Sequence, residues 1–285
     1  MSRLTAKDLI NDSLELVSLP DLIHRINLKV EDPDSSAVEI GQLIGEDPAL
    51  TTRLLKVVNS PMFGFPSRID TISMAITILG MRQLRDLVLA TAVVGQFHTL
   101  TDEVVDMETF WCHSVCTGVA AKVIGQHLKD NNSERFFVAG LLHDIGKLVM
   151  YVTHPDASKQ VIELADDKDL DKSSVEKSIF GFSHAEVGGE LLSHWQLPES
   201  LIEPARYHHH PIRATRFATE TAAVHIADTI ANNIQSPISL DDDNPIEAIT
   251  WPILGLESSL LEQIHEEVYE ILDDSLKVLY YSQVA

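Results

Sequence analysis

Only two of the 285 residues are cysteines, Cys112 and Cys116, set one helical turn apart. A secreted disulfide framework needs more of them, spread along the chain, so a reducing, cytoplasmic compartment is expected. Long hydrophobic runs are scarce too. The run near Leu87 to Val94 is less than half of the ~20 residues that a bilayer crossing needs. The N-terminus, MSRLTAKDLINDSLELV, has no apolar stretch behind a basic start, so neither a signal peptide nor a membrane span is expected. Positive charge is also in short supply. With 21 Lys and Arg against 43 Asp and Glu, the formal net charge is −22. That balance opposes nucleic acid as the principal partner, because phosphate binding draws on Lys and Arg.

What is present fits an ordinary folded protein. Hydrophobic residues make up 45% and charged residues 22%, and the length suits one large domain or two small ones. The charge is uneven. Between Thr51 and His98 stand five basic residues (Arg53, Lys56, Arg68, Arg82, Arg85) and two acidic ones, whereas Asp241 to Asp274 holds eleven acidic residues and no Lys or Arg. A solvated face is the plainer account of each, and an interaction surface the sharper one, above all for the basic cluster.

Helix signals dominate and no sustained period-two pattern appears, which predicts an all-α fold. Ser35 or Ser36 can cap a helix through Ile44. Asp47-Pro48 reads as cap plus first-turn proline of the next. Thr71 can cap a third, and a long apolar helix spans about Met81 to Phe97. A polar stretch, HTLTDEVVD, closes this N-terminal lobe. Helices are then predicted from about Met107 to Leu128, from Ser133 through His143-Asp144 toward Tyr151, after the capping box Ser183–Glu186, and over about Arg216 to Asn233. Asp166 to Lys172 reads as a loop. QSPISLDDDNP reads as a linker, and Ser259–Glu262 as the capping box of a last amphipathic helix. No internal repeat is found.

Five places in the second lobe carry side chains able to bind metal: His113, His143-Asp144, His184, the run His208-His209-His210, and Asp228. Imidazole and carboxylate suit zinc, iron or manganese. The strongly apolar context AGLLHDIGKLVM embeds the His143-Asp144 pair, and a carboxylate buried there needs a metal or several donors as compensation. Adjacent residues on one helix point about 100° apart, so both can line one cavity only on a central, surrounded helix. Lys147, one turn on, can pair with Asp144 or reach a bound anion such as phosphate. Asp228 follows apolar Val224 at i+4 and is expected to point inward. His24, His98, His127, His154, His194, His225 and His265 are read as surface or satisfied core residues, and Cys116 as a small buried hydrophobe.

The order His, His-Asp, His, His-His, Asp resembles the HD superfamily of metal-dependent phosphohydrolases, and LLHDIGK matches its central motif. The stretches LPDLIHRI, IGQLIGEDPALTTRLLKVVNSPMFG and ISMAITILGMRQLRDLVLATAV look like the HDOD domain, a branch found in bacterial signalling proteins. The resemblance covers about Ser18 to Asn233. It implies a helical N-terminal lobe (18–105) packed on an HD-like lobe (106–233), with an N-terminal extension (1–17) and a C-terminal linker and helix (234–285).

It also implies one or two divalent ions, iron or manganese favoured, with zinc, magnesium or nickel as alternatives. His113, His143, Asp144 and Asp228 would hold the first. Asp144 as a bridge, with His184, His208 and His209, would hold the second; His209-His210 is the alternative pair. In active relatives a metal-activated water attacks phosphorus, and the motif lysine, here Lys147, stabilises developing charge. The chain departs from the branch that cleaves cyclic di-GMP: it lacks Gly-Tyr-Pro, and Thr109 stands where some three-metal relatives carry glutamate.

A signalling or regulatory module is therefore expected, binding a nucleotide or phosphorylated small molecule and acting on signalling proteins in trans, since no receiver, kinase or cyclase domain is attached. A working metal-dependent phosphohydrolase is the first alternative. A DNA-binding regulator using Arg53, Arg82 and Arg85 is the more remote one.

Overall fold

In the computed structural model the described residues are 4–13, 19–97, 104–130, 132–168, 170–235 and 250–281. Residues 98–103 of the polar separator (98–106) and 236–245 of the linker (235–245) lie outside them, as does Ser18. Among the described residues every regular element is a helix. The N-terminal lobe holds α2 (Asp21–Glu31), α3 (Ala37–Gly45), α4 (Pro48–Val58), α5 (Ile72–Leu79) and α6 (Met81–Phe97). The second holds α7 (Met107–His127), α8 (Glu134–Leu142), α9 (Ile145–Thr153), α10 (Pro155–Lys168), α11 (Lys172–Ile179), α12 (His184–His194), α13 (Glu199–Tyr207) and α14 (Ala218–Gln235). At the ends lie α1 (Ala6–Asp12), α15 (Thr250–Leu254) and α16 (Leu261–Leu276).

Local chemistry starts several of these helices where expected. Ser36 forms a capping box with Glu39, and Ser183 one with Glu186. The Asp47 carboxylate accepts the Ala49 and Leu50 N–H groups at 2.8 and 3.0 Å, with Pro48 in the first turn. Other expectations fail. Ser259 caps nothing: a short 3-10 turn, Ser258–Leu260, leads into α16 with Leu260 at the cap position. The stretch from Asp166 is mostly helical, α10 continuing to Lys168 and α11 starting at Lys172. Val161, Ala165 and Val175 give these two helices a small apolar core of their own, separate from the main one.

The largest correction concerns Ser133 to Tyr151. It is two helices, and they break at the His143-Asp144 pair: His143 ends α8 and Asp144, at φ −98° and ψ 9°, precedes α9. The break lets both side chains face one cavity, a requirement that a continuous helix meets poorly. Two glycines bring the backbones close enough. A Cβ on Gly140 would lie 2.7 Å from the Thr117 carbonyl oxygen of α7, and one on Gly146 would lie 2.0 Å from the His184 carbonyl oxygen of α12. Residues Glu134–Thr153 also contain an 18-residue window with the mean hydropathy (1.4) of a membrane span, but 78% of that window is buried inside the protein. Its apolarity serves the core.

Around this junction α7 forms the central post, buried along most of its length, with α8, α14 and α16 against it. The N-terminal lobe joins through α6 on α8, and through Lys122 of α7, whose ammonium reaches the Met62 carbonyl at 2.9 Å beneath the Phe63 ring. Arg85 is buried, with its guanidinium on Asp86 and Glu31. It is thus withdrawn from the basic cluster that a DNA-binding surface would use. The N-terminal α1 docks on α12 with Leu9 and Ile10 buried.

Candidate metal centre

Six elements deliver the site. His113 comes from α7, His143 and Asp144 from the α8–α9 break, and His184 from the first turn of α12. His208 and His209 come from the end of α13, and Asp228 from α14. The structure brings all seven together, with Lys147 beside them.

The Asp144 carboxylate lies in the middle. One oxygen, Oδ2, is 3.4 Å from His143 Nε2 and 3.7 Å from His113 Nε2. The other, Oδ1, is 3.2 Å from His184 Nε2 and 3.8 Å from His208 Nε2. Asp228 Oδ1 is 3.1 Å from His113 and 3.7 Å from His143. His209 Nε2 is 3.0 Å from His184 Nε2. The ligand atoms fall into the groups His113–His143–Asp228, His143–Asp144–His208 and His184–His208–His209, each within 4.8 Å. His210 is exposed, so the register that turns His208 and His209 inward is the one adopted.

The donors are aimed by what holds their other ends. His143 donates Nδ1–H to the Gly140 carbonyl at 2.7 Å, and His208 donates Nδ1–H to the Ala205 carbonyl at 2.9 Å. Each bond turns Nε2 toward the centre. Sequence reasoning passed over two further residues. Glu176 of α11 accepts from His184, and His225 donates Nδ1–H to the His208 carbonyl at 2.7 Å. No spacing rule links Glu176 to a histidine on another helix, and His225, read as a surface or satisfied core residue, is half-buried and hydrogen-bonded.

The electrostatics suit cations. Burial alone would raise the Asp144 and Asp228 carboxyls, but the neighbouring histidines, and Lys147 at Asp144, hold both well below the usual carboxylate range. Burial and the neighbouring imidazoles keep His208 and His209 neutral, His209 down to about 4. Burial opposes a proton on His143, yet the Asp144 and Asp228 charges outweigh it and push that imidazole up to about 10. Two buried atoms at the focus, His143 Nε2 and Asp144 Oδ1, make no hydrogen bond. Buried polar atoms left unpaired are costly, and a bound cation would displace the His143 proton. A divalent cation would satisfy both, so the residues fit a metal.

A cavity of about 190 Å³ opens onto the centre, with His113, Asp144, Lys147 and Tyr151 at its polar end and Phe110 and Phe180 on its apolar wall. Lys147 keeps its proton: burial opposes the charge, and Asp144, an ion-pair partner at 2.5 Å, more than restores it.

Comparison with known proteins agrees with this architecture. The HDOD domain family model matches residues 16–211. An uncharacterised protein of Treponema pallidum (strain Nichols) is 30% identical over 267 residues, which is 92% of this chain and 50% of the relative. The chain thus spans about half the length of that curated relative. A candidate phosphohydrolase from Shewanella amazonensis SB2B superposes with a TM-score of 0.75 at 25% identity, covering 97% of this chain and 98% of that one. An HDOD domain protein of unknown function from Geobacter sulfurreducens gives 0.75 at 26% identity, over 96% and 98%.

Proposed function

This chain belongs to the HDOD domain family, and from that premise we propose that it is a signal-transduction module whose metal centre takes a nucleotide or another phosphorylated ligand. The observation that carries the proposal is Asp144, buried between two ligand groups that meet at its carboxylate, with one oxygen still lacking a hydrogen bond. His113, His143 and Asp228 would hold one ion, and His184, His208 and His209 the other, with Asp144 between. Iron or manganese is the proposed metal.

A divalent ion bound there supplies Lewis-acid polarisation of phosphoryl oxygens and activation of water. The chain's own contribution is positional. Lys147 presents a fixed positive charge to phosphoryl oxygens in the cavity, and the wall formed by Phe110 and Phe180 excludes water and accepts an apolar or flat group. Among the described residues of the N-terminal lobe only Val105, at its boundary, lines this cavity, and it brings no polar side chain, which supports a role for the lobe in contacting a signalling partner in trans.

Metal analysis of the purified full chain, followed by a broad phosphoester panel with Mn²⁺ or Fe²⁺, tests the proposal. Stable metal with ligand binding and no turnover is expected. Turnover that disappears in Asp144→Asn would instead support the second reading, a metal-dependent phosphohydrolase. Lys147 beside Asp144 at the mouth of the cavity favours that alternative, as does the description of the Shewanella protein as a candidate phosphohydrolase. A protein that retains no metal would sink both.

A further inference from the structure

We propose that a second cleft, on the His209 side of the centre, binds a phosphate monoester of mononucleotide size, at a site distinct from the metal-centre cavity. This cleft has a volume of about 450 Å³, within the usual range for small-molecule sites. It lies between α1, the turn into α12, the end of α13 and the short 3-10 turn Pro211–Arg213. Helix α11 separates it from the metal-centre cavity. Lys172 and Glu176 line that cavity, whereas Ser173 and Lys177, one residue further round the helix, line the cleft.

Its charge runs against the rest of the molecule. In a chain of net charge −22, Lys7, Lys177, Arg206 and Arg213 gather around one cleft. The two carboxylates there are already engaged. Glu190 accepts from Arg206 at 3.0 Å, and Glu186 accepts the Ser183 N–H at 2.9 Å. Gly189 makes room for the first of these pairs, since a Cβ there would lie 2.5 Å from Arg206 Nε. Among the described residues Lys7, Lys177 and Arg213 have no ion-pair partner. With four cations against the carboxylates Glu186 and Glu190, the cleft keeps a net charge of about +2, which suits a compact dianion better than a carboxylate.

The remaining wall favours a flat group. The Arg213 guanidinium stands 5.5 Å from the centre of the Tyr207 ring, and Tyr207 lines the cleft. His209 forms part of the floor, so an occupant touches a residue of the second ligand group. One wall, Leu4 to Lys7, lies outside the stretch 16–211 that the family model matches, so the cleft is not completed by the matched domain alone. The proposal does not depend on whether the metal centre is catalytic.

The test is calorimetric titration of the metal-loaded full chain with the non-hydrolysable methylene-phosphonate analogue of AMP, and separately with inorganic phosphate. Lys177→Glu combined with Arg213→Glu should weaken the analogue by about tenfold or more, because two charge-assisted contacts become repulsions. Both side chains are exposed, so an unchanged melting temperature should accompany the loss. Lys147→Met, which removes the charge assigned above to the metal-centre cavity, should abolish only a binding event at that cavity and leave the affinity at the cleft within about twofold, and phosphate alone should bind at the cleft about tenfold more weakly than the analogue. The proposal is overturned by an affinity unchanged in the double variant, by one lost in Lys147→Met, by phosphate binding as tightly as the analogue, or by no binding of the analogue at all.

Discussion

Glu176 holds His184 at two points: its carboxylate accepts both the ring Nδ1–H and the backbone N–H of His184, each at 2.7 Å. The ring is thereby fixed with Nε2 facing Asp144 and His209. Removing an outer carboxylate of this kind lowers metal affinity by about 10–100-fold. Glu176→Ala should therefore release the ion held by His184, His208 and His209 while the other position stays filled. Metal stoichiometry measured after dialysis checks this, and equal loss at both positions would contradict it.

Asp144 and Asp228 should differ in the same assay. Asp144 lies within reach of both ligand groups and Asp228 only of the first. Asp144→Asn is expected to empty both positions, and Asp228→Asn to empty one. If the two variants retain the same amount of metal, the bridging assignment fails.

The histidine run gives a clean comparison between neighbours. His209 faces His184 at 3.0 Å, and His210 is exposed. His209→Ala should lower metal content, whereas His210→Ala should leave metal content unchanged and stability within about 0.5 kcal/mol of the parent. The reverse order would mean that the run takes the other register.

Gly146→Ala is expected to be severely destabilising. The added Cβ would meet the His184 carbonyl oxygen at 2.0 Å and the Gly188 nitrogen at 2.5 Å. Both are backbone atoms that no rotamer change can move away. Overpacking costs about 1–3 kcal/mol where side chains yield, so a loss at or above the upper end is expected in urea titration. A melt within error of the parent would show that α9 and α12 lie further apart.

Stability should respond to pH through Lys122. Burial lowers its pKa from 10.5 to about 8, and Glu134 only partly offsets this. Between those values the unfolded chain binds the additional proton, so this residue's contribution to stability rises as pH increases from about 8 to 10.5. Relative to Lys122→Met, the wild type should gain up to roughly 3 kcal/mol across that window. Urea midpoints at a series of pH values measure it, and a constant difference between the two proteins would rule it out.

Much of the fold was legible because its signals are local. Asp47-Pro48 and the Ser183–Glu186 box announce helix starts by bonds that span three residues, and α6 has the limits that its apolar pattern suggests. The ligand-type residues stood out because histidines and an aspartate embedded in apolar helices require compensation. Other elements escaped for the opposite reason. The break at His143-Asp144 lies between Gly140 and Gly146, where the backbones of α7 and α12 approach closely, a contact between segments far apart in sequence. The failed Ser259 box shows a local signal overruled by a 3-10 turn.

The sequence by itself thus determined the helical class, the family and the set of residues able to bind metal, since helix periodicity, capping and side-chain chemistry are properties of short segments. Only the tertiary structure decided that His209 turns inward and His210 outward, that Glu176 orients His184, that Arg85 is neutralised in the interior, and that three unpaired cations meet in one cleft. Those outcomes depend on distances between separate helices, which close-packing of the core sets.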